Sequence, residues 1–287
     1  LHFGRKRTTQ IHINVLVTGN VNYDVTLDAT NNNRLVIASE KVWFKKEDGE
    51  IYEDSQAIAS GETQALRNSL VAVFYLDFGK IFHFQDTTPE ARVKQTPDIY
   101  DNHELKPDAA NLASFLYLLK NHNEPYYNRI LNTVKLAAPF IEDFTLNPMP
   151  ENVQRIRLRW KHKNAEDDFD ISQLSDGTLR FICLTTLLLQ PNPPSLIIID
   201  EPELGLHPAA MELLVEMIRS VATKSQVIIS TQSVSMVSQF LPEEIIVVER
   251  EKDESVFRRK SSKELETWLD EYSMGELWEM NVIGGRP

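Results

Sequence analysis

Two carboxylates stand side by side at the end of a short apolar run, Leu196-Ile197-Ile198-Ile199-Asp200-Glu201-Pro202. An apolar strand ending in acids places them at the C-terminal edge of a parallel sheet, where α/β proteins bind ligands. There Asp200 can hold Mg²⁺ directly or through water. Glu201, pointing the other way, can orient or deprotonate an attacking water. A solvated strand end is the plain alternative, but paired acids behind four buried apolar residues are unusual for one. Upstream, Leu174-Ser175-Asp176-Gly177-Thr178 precedes an apolar helix. Ser175 is a good N-cap and Gly177 leaves the backbone open to close approach, so the helix start is suited to a phosphate. Taken alone, that block is more readily just a capped helix. Downstream come Glu203-Leu204-Gly205-Leu206-His207-Pro208 and a second apolar strand, Val227-Ile228-Ile229-Ser230-Thr231-Gln232-Ser233. Gln232 can reach a terminal phosphate or the attacking water, although a lone strand-end Gln is more often a satisfied loop residue and only its position after the acidic block favours the first reading.

These blocks need a frame that presents strand ends together. From about residue 152 strands alternate with helices: helix 175–190, strand 195–200, helix 208–222, strand 226–231, helix 233–240 and strand 244–249. Such alternation predicts a largely parallel sheet covered by helices. Before it, Gln10 to Val17, Tyr23 to Leu27, Leu35 to Phe44 and Ile51-Tyr52 read as antiparallel strands separated by Gly19-Asn20, Asn31-Asn32-Asn33 and Asp48-Gly49 turns. Helical spacing follows at Thr63 to Val73, then a short strand at Lys80 to Phe84. The middle is helical: Asp108 is placed to cap a helix through Leu112, Phe115, Leu116 and Leu119, and Pro125 suits the first turn of another through Ile130 and Val134. The tail, Ser262 to Tyr272, reads as one amphipathic helix capped by Ser261 or Ser262. The expected division is residues 1–84, β-rich; 85–150, helical; and 151–287, carrying the acidic strand and the tail helix.

Composition bounds the function classes. The 287 residues are 42% hydrophobic and 25% charged, ordinary for a globular protein. No apolar run reaches the roughly 20 residues of a membrane-spanning helix. The single Cys183 excludes an internal disulfide, fits a reducing cytoplasm and, in an apolar helix, reads as core packing. A net charge of −12 argues against an indiscriminate coat for nucleic acid or anionic membrane. The exception is local: Arg155, Arg157, Arg159, Lys161 and Lys163 alternate with Ile156, Leu158 and Trp160. This basic face can track phosphates, but a strand edge protected by charge is the favoured reading, with Trp160 packing inward.

The order of the four blocks resembles the signature, Walker B, D-loop and switch strand of ATP-binding-cassette ATPases, in their soluble RecF/SMC-like branch. It is closer still to a group of prokaryotic ATPases found beside phage-defence and toxin-like genes. The resemblance implies a P-loop NTPase core, α/β with a mostly parallel sheet, preceded by an antiparallel β-rich arm and a helical insertion. It implies ATP and Mg²⁺ as ligands, with Asp200 on the metal and Glu201 and Gln232 at the attacking water. Ser175, Asp176 and Gly177 would form the signature loop, which binds the γ-phosphate held by a second subunit, so that two copies, or a higher even number, sandwich ATP. His207 stands where many relatives have the D-loop aspartate, and Gln232 where transporters have a histidine. Gln85, in Phe82-His83-Phe84-Gln85-Asp86, is the candidate Q-loop residue, with a strand-end turn as its alternative.

One expected part is missing. No G-x-x-x-x-G-K-[ST] loop, whose backbone N–H groups and Lys cradle phosphates, occurs among the ten glycines. With Leu1 in first place, this implies a further N-terminal lobe of about a hundred residues or fewer. The expected activity is ATP hydrolysis driving a cytoplasmic switch for an effector protein such as a nuclease, in phage defence or DNA metabolism, with DNA as a possible ligand. A non-hydrolysing scaffold or regulatory subunit that binds an effector is the alternative.

Overall fold

The computed structural model describes residues 10–17, 21–29, 35–45, 51–58, 79–251 and 254–285. The helix expected at Thr63 to Val73 and the three turns of the β-rich part lie outside them. The chain divides into two compact units, residues 1–78 with 250–256, and 79–249 with 257–287.

The first unit is an antiparallel sheet of four strands in sequence order: β1 (Gln10–Val17), β2 (Val21–Ala29), β3 (Leu35–Lys45) and β4 (Ile51–Ile58). Val25 and Val42 are buried in it, and the Tyr23 hydroxyl donates to the buried Glu40 carboxylate at 2.7 Å.

The second unit holds the expected parallel sheet. Its order is β10 (Gln226–Ser230), β9 (Leu196–Asp200), β5 (Gly79–Phe82), and both pairings are parallel. Strand alternation gives it two unlike faces. Phe82, Ile197 and Ile199 point into the core, whereas Ile81, Ile198 and Ile228 share one cross-strand row on the other face. The core face is covered by α3 (Asp176–Leu189) and α4 (Pro208–Val221). The helix α3 is apolar nearly all round, burying Leu179, Phe181, Ile182, Leu184, Leu187 and Leu188; each contributes about 1.5–3 kcal/mol. Cys183 sits among them, and burial pushes its thiol pKa up, leaving it inert packing. The α4 helix is amphipathic, with Pro208 in its first turn and Leu214, Val215 and Ile218 inward.

The middle helices are α1 (Leu112–His122) and α2 (Glu124–Ala137). They share one continuous core with β5, β9, α3 and α4. Asp108 does not cap α1. The backbone turns through Ala109 at φ 53°, the helix starts three residues later, and Asp108 instead accepts from the Ala110 N–H and pairs with Arg92. Buried Asn111 organises that turn, accepting from the Lys106 N–H and donating to the Asp101 and Glu104 carbonyls.

An antiparallel sheet packs beside these helices: β6 (Ile141–Met149), β7 (Asn152–His162) and β8 (Asp168–Asp170), with β7 in the middle. β6 falls in a stretch the sequence pattern left as helical. Ile156, Leu158 and Trp160 of β7 are buried, and the cations between them are on the opposite face. β7 is therefore no edge strand, which removes the favoured explanation for its charge.

The remaining elements are short. α5 spans only Val234–Val237, capped by Ser233, and is shorter than the 233–240 helix expected. The strands β11 (Ile246–Glu251) and β12 (Glu254–Arg259) pair as a two-stranded sheet. The single tail helix is replaced by two, α6 (Glu266–Leu269) and α7 (Met274–Glu279). Ser262, expected as a cap, spends its N–H and hydroxyl on the Glu243 carboxylate, while Ser273 caps the second helix in a reciprocal box with Glu276. Among the described residues no helix is long and apolar enough to cross a membrane.

Candidate functional site

The site forms where the three parallel strands end. Phe82 and Ile229 both lie opposite Ile199, and Ser230 lies opposite Asp200, so the chains leave the sheet at one level. Three residues beyond β5, Gln85 turns back to Asp200: its side-chain amide donates to the Asp200 carbonyl and to Oδ2, both at 3.3 Å. The Ser230 hydroxyl donates to the other oxygen, Oδ1. The Asp200 carboxylate is thus held from both neighbouring strands. A depression lined by Phe84, Gln85, Arg180, Asp200 and Glu201 opens beside it.

Glu201 is set differently. Its backbone adopts φ 43°, a left-handed conformation that costs a non-glycine residue about 1–3 kcal/mol. Its N–H donates to the Ser230 carbonyl at 2.8 Å, and its Oε1 accepts from the Gln232 side chain at 3.4 Å. The chain therefore turns sharply after Asp200, and the two carboxylates take different partners, Gln85 and Ser230 for Asp200 and Gln232 for Glu201. The next acid, Glu203, accepts from the Thr231 hydroxyl, which itself accepts from the Ser233 N–H at 3.0 Å. This second link fixes the loop after β9 against the loop after β10.

The remaining predicted residues lie at two helix starts. Ser175 caps α3, its Oγ accepting from the Thr178 N–H at 3.2 Å and bonding the Thr178 hydroxyl at 2.8 Å; Asp176 is in the first turn. Gly177 faces Gly205 so closely that a Cβ there would lie 2.1 Å from the Gly205 carbonyl oxygen. Gly205 has φ +76°, which glycine alone adopts freely. His207 caps α4, its Nδ1 accepting from the Ala209 N–H at 3.3 Å.

Sequence reasoning missed Arg180. From the second turn of α3 its guanidinium donates to the Gln85 carbonyl at 2.8 Å and to the Leu204 carbonyl at 3.0 Å. One side chain thereby joins the helix behind Ser175, the loop carrying Gln85 and the loop carrying His207. An arginine in an apolar helix gives no motif; its spacing five residues after Ser175 is the only sequence signal. Ser230, Glu203 and Thr231 were likewise read only as neighbours of the chosen residues.

Chemically, the Asp200 carboxylate and the Ser230 hydroxyl are oxygen donors side by side, with the Gln85 amide held against them through its NH2. That suits a hard cation such as Mg²⁺, which binds one or two carboxylates and keeps waters or phosphate oxygens as its other ligands. Among the described residues no group of three or more His, Cys, Asp or Glu side chains is arranged to hold a metal. The remaining ligands would have to be water and phosphate.

The chain matches, over residues 6–238, the family described as AAA domain, putative AbiEii toxin, type IV TA system. The chain belongs to this AAA-domain family. Two curated relatives match a shorter stretch: the Nod factor export ATP-binding protein I of Rhizobium etli, 35% identical over 99 residues, 34% of this chain and 31% of that protein; and its namesake in Mesorhizobium japonicum, 34% identical over 93 residues, 32% and 27%. The match thus spans about a third of those proteins' length. A solved structure of an Smc head bound to the C-winged helix domain of ScpA superposes with a TM-score of 0.53 at 15% identity, covering 85% of this chain and 76% of that one. The AAA-domain chain therefore has the fold of SMC-type heads, a P-loop NTPase fold with an antiparallel β arm.

Proposed function

We propose that this chain hydrolyses ATP, pairing with a second copy around the nucleotide and acting as a cytoplasmic switch for an effector protein such as a nuclease, in prokaryotic phage defence or DNA metabolism. The supporting observation is that the ends of three parallel strands pair a glutamine with each adjacent acid, Gln85 with Asp200 and Gln232 with Glu201. Asp200 with Ser230 and Gln85 would hold Mg²⁺, which supplies charge stabilisation on the phosphate oxygens. Glu201, with its strained backbone and its carboxylate bonded by Gln232, takes the proton of the water that attacks the γ-phosphorus, and Gln232 holds Glu201 and that water in line. The products are ADP and phosphate. Ser175, Asp176 and Gly177 start a helix whose free N–H groups suit a phosphate; they would reach the nucleotide of the partner copy. The glycine-rich loop that grips the phosphates is not among the 287 residues, so the test uses the protein as the cell makes it.

That test compares Mg²⁺-dependent ATP turnover and ATP binding in the natural protein and in Glu201→Gln. Removing a general base lowers turnover by about 10²–10⁴-fold while ATP binding persists. A protein that neither binds ATP nor turns it over, with Glu201→Gln indistinguishable, would establish the scaffold reading, in which these side chains are a retained frame for an effector.

A further inference from the structure

We propose that the exposed face of the β6–β7–β8 sheet is a docking surface for the phosphate backbone of nucleic acid, contacted without regard to base sequence. The proposal concerns a surface apart from the strand-end site and does not rest on ATP hydrolysis.

The argument begins with where β7 lies. Charge along a strand is readily explained when the strand is an edge, but β7 is hydrogen-bonded on both sides over Arg159 to Lys161 and to β6 along most of its length. Nearer its start, where β8 does not reach, residues 97–99 bond its second side instead, through the Ile99 N–H to the Gln154 carbonyl and the Ile156 N–H to the Pro97 carbonyl, so Arg155 and Arg159 both lie in stretches bonded on two sides. Arg155, Arg157 and Arg159 are all exposed and follow one another at about 7 Å, two residues of extended chain. Directly across from Arg157 and Arg159 stand Asn147 and Thr145, polar and uncharged. In a chain of net charge −12 a row of three guanidinium groups is a concentrated positive surface, and its complement is a row of anions.

Acidic groups limit the surface at its ends. Lys161 pairs with Glu142 at 3.1 Å and lies opposite Asp168; Arg159 lies opposite Asp170 and donates to the Asp168 carbonyl. At the other end the Asp98 backbone bridges to Arg155, and the Asp98 carboxylate accepts from the Tyr100 N–H. The open stretch is thus Arg155 to Arg159, long enough for about three phosphates.

The sheet also explains why the contact would be blind to sequence. Reading single-stranded bases requires exposed aromatic platforms. The aromatics here, Trp160 stacked on Phe169 at 4.8 Å and in edge contact with Phe140, belong to the opposite face, and the Trp160 indole N–H is spent on the Asp170 carbonyl. Along β7 the basic face offers guanidinium forks, which suits phosphates.

The test measures binding of the full-length protein to a random 30-base-pair duplex and to the matching single strand by fluorescence anisotropy, across a salt series. Arg155→Gln/Arg157→Gln/Arg159→Gln is compared with Lys135→Gln/Lys224→Gln/Lys263→Gln, which removes the same charge elsewhere. Because Arg159 also bonds Asp168, the double Arg155→Gln/Arg157→Gln guards against a folding defect, and melting temperature is recorded for every variant. The expected result is that the arginine triple weakens duplex binding and flattens the log K against log salt slope by about 2–3, at roughly 0.9 per phosphate lost. The double flattens it by about two-thirds as much, the lysine triple leaves it nearly unchanged, and basal ATP turnover is equal in all. A slope equal in both triples, absence of DNA binding, or a poly-glutamate peptide bound as tightly and lost in the same variants would overturn the proposal, the last in favour of an acidic protein partner.

Discussion

The two sheets of the larger unit use polar residues in opposite ways. In the parallel sheet the strands are mostly apolar, and the candidate site groups lie at or just past the strand ends: Gln85, Asp200, Glu201, Ser230 and Gln232. In the antiparallel sheet the polar groups lie along the strand, on the face of β7 turned from the core. Strand ends gather side chains from distant sequence into one place, with backbone turns that aim each one. A strand face spreads like residues in a row at fixed spacing. The first arrangement suits a reaction at a point and the second suits contact with an extended partner. Chemistry should therefore respond sharply to small displacements at the strand ends and hardly at all to changes in the other sheet.

The strongest break of that contrast comes from Gly177→Ala. The added methyl would start 2.1 Å from the Gly205 carbonyl, and neither backbone can yield without shifting the loop that follows β9. Overpacking of this kind costs about 1–3 kcal/mol, a fall of roughly 2–12 °C in melting temperature for a domain of this size. ATP turnover should fall with it, because the displaced loop carries Glu203 and adjoins Glu201. A variant that melts and turns over like the natural protein would show that the start of α3 and the 203–207 loop are not mechanically joined.

The smaller break is Arg180→Met. Hydrogen bonds from a charged donor contribute about 1.5–3 kcal/mol each when partly shielded, and Arg180 makes two, to the Gln85 and Leu204 carbonyls. Its loss should lower kcat about ten- to a hundredfold, since Gln85 would no longer be held at Asp200, with a smaller change in melting temperature than Gly177→Ala. Arg180→Lys keeps the charge but cannot fork to two carbonyls, so it should recover only a minor part. Full recovery in the lysine variant would mean that charge alone matters there.

How far the sequence discloses this arrangement depends on the same contrast. The order of four short blocks located the strand ends, because apolar strands followed at once by polar residues leave a mark that survives without structure. The β7 face was legible from strict alternation, but its position in the sheet was not: alternation cannot tell a middle strand from an edge. Gln85 was placed by its position after a short strand, and its bond to Asp200 spans 115 residues, a distance no local pattern covers. Arg180 and the Glu203–Thr231 link stayed hidden because their partners are backbone carbonyls or distant hydroxyls. In the tail the two cap candidates part ways for a reason no local pattern carries: Ser262 is taken by the Glu243 carboxylate, whereas Ser261 exchanges bonds with Glu264, and the one expected helix becomes two.

The smallest effect belongs to the antiparallel sheet and tests its independence from the site. Asp143 of β6 is half-buried, which alone would raise its carboxyl pKa. Hydrogen bonds from Lys120 at 2.8 Å, from the Tyr127 hydroxyl at 2.6 Å and from the Phe144 N–H outweigh burial and hold it below the usual carboxylate range. Burial first, and then the same carboxylate, pushes the Tyr127 hydroxyl upward. A carboxyl depressed in the folded state contributes stability that is complete above its unfolded value, about 4, and is lost as pH falls through the lower folded value. Lys120→Met removes one donor and its charge, so the folded pKa rises and this share of the acid sensitivity shrinks. At neutral pH the variant should lose less than about 1 kcal/mol, because the Lys120–Asp143 pair is partly exposed and screened. ATP turnover per folded molecule should stay unchanged. A variant that keeps the acid limb of its stability curve but loses turnover would show that the helices bearing Lys120 and Tyr127 transmit to the strand ends, and the two sheets would no longer count as separate devices.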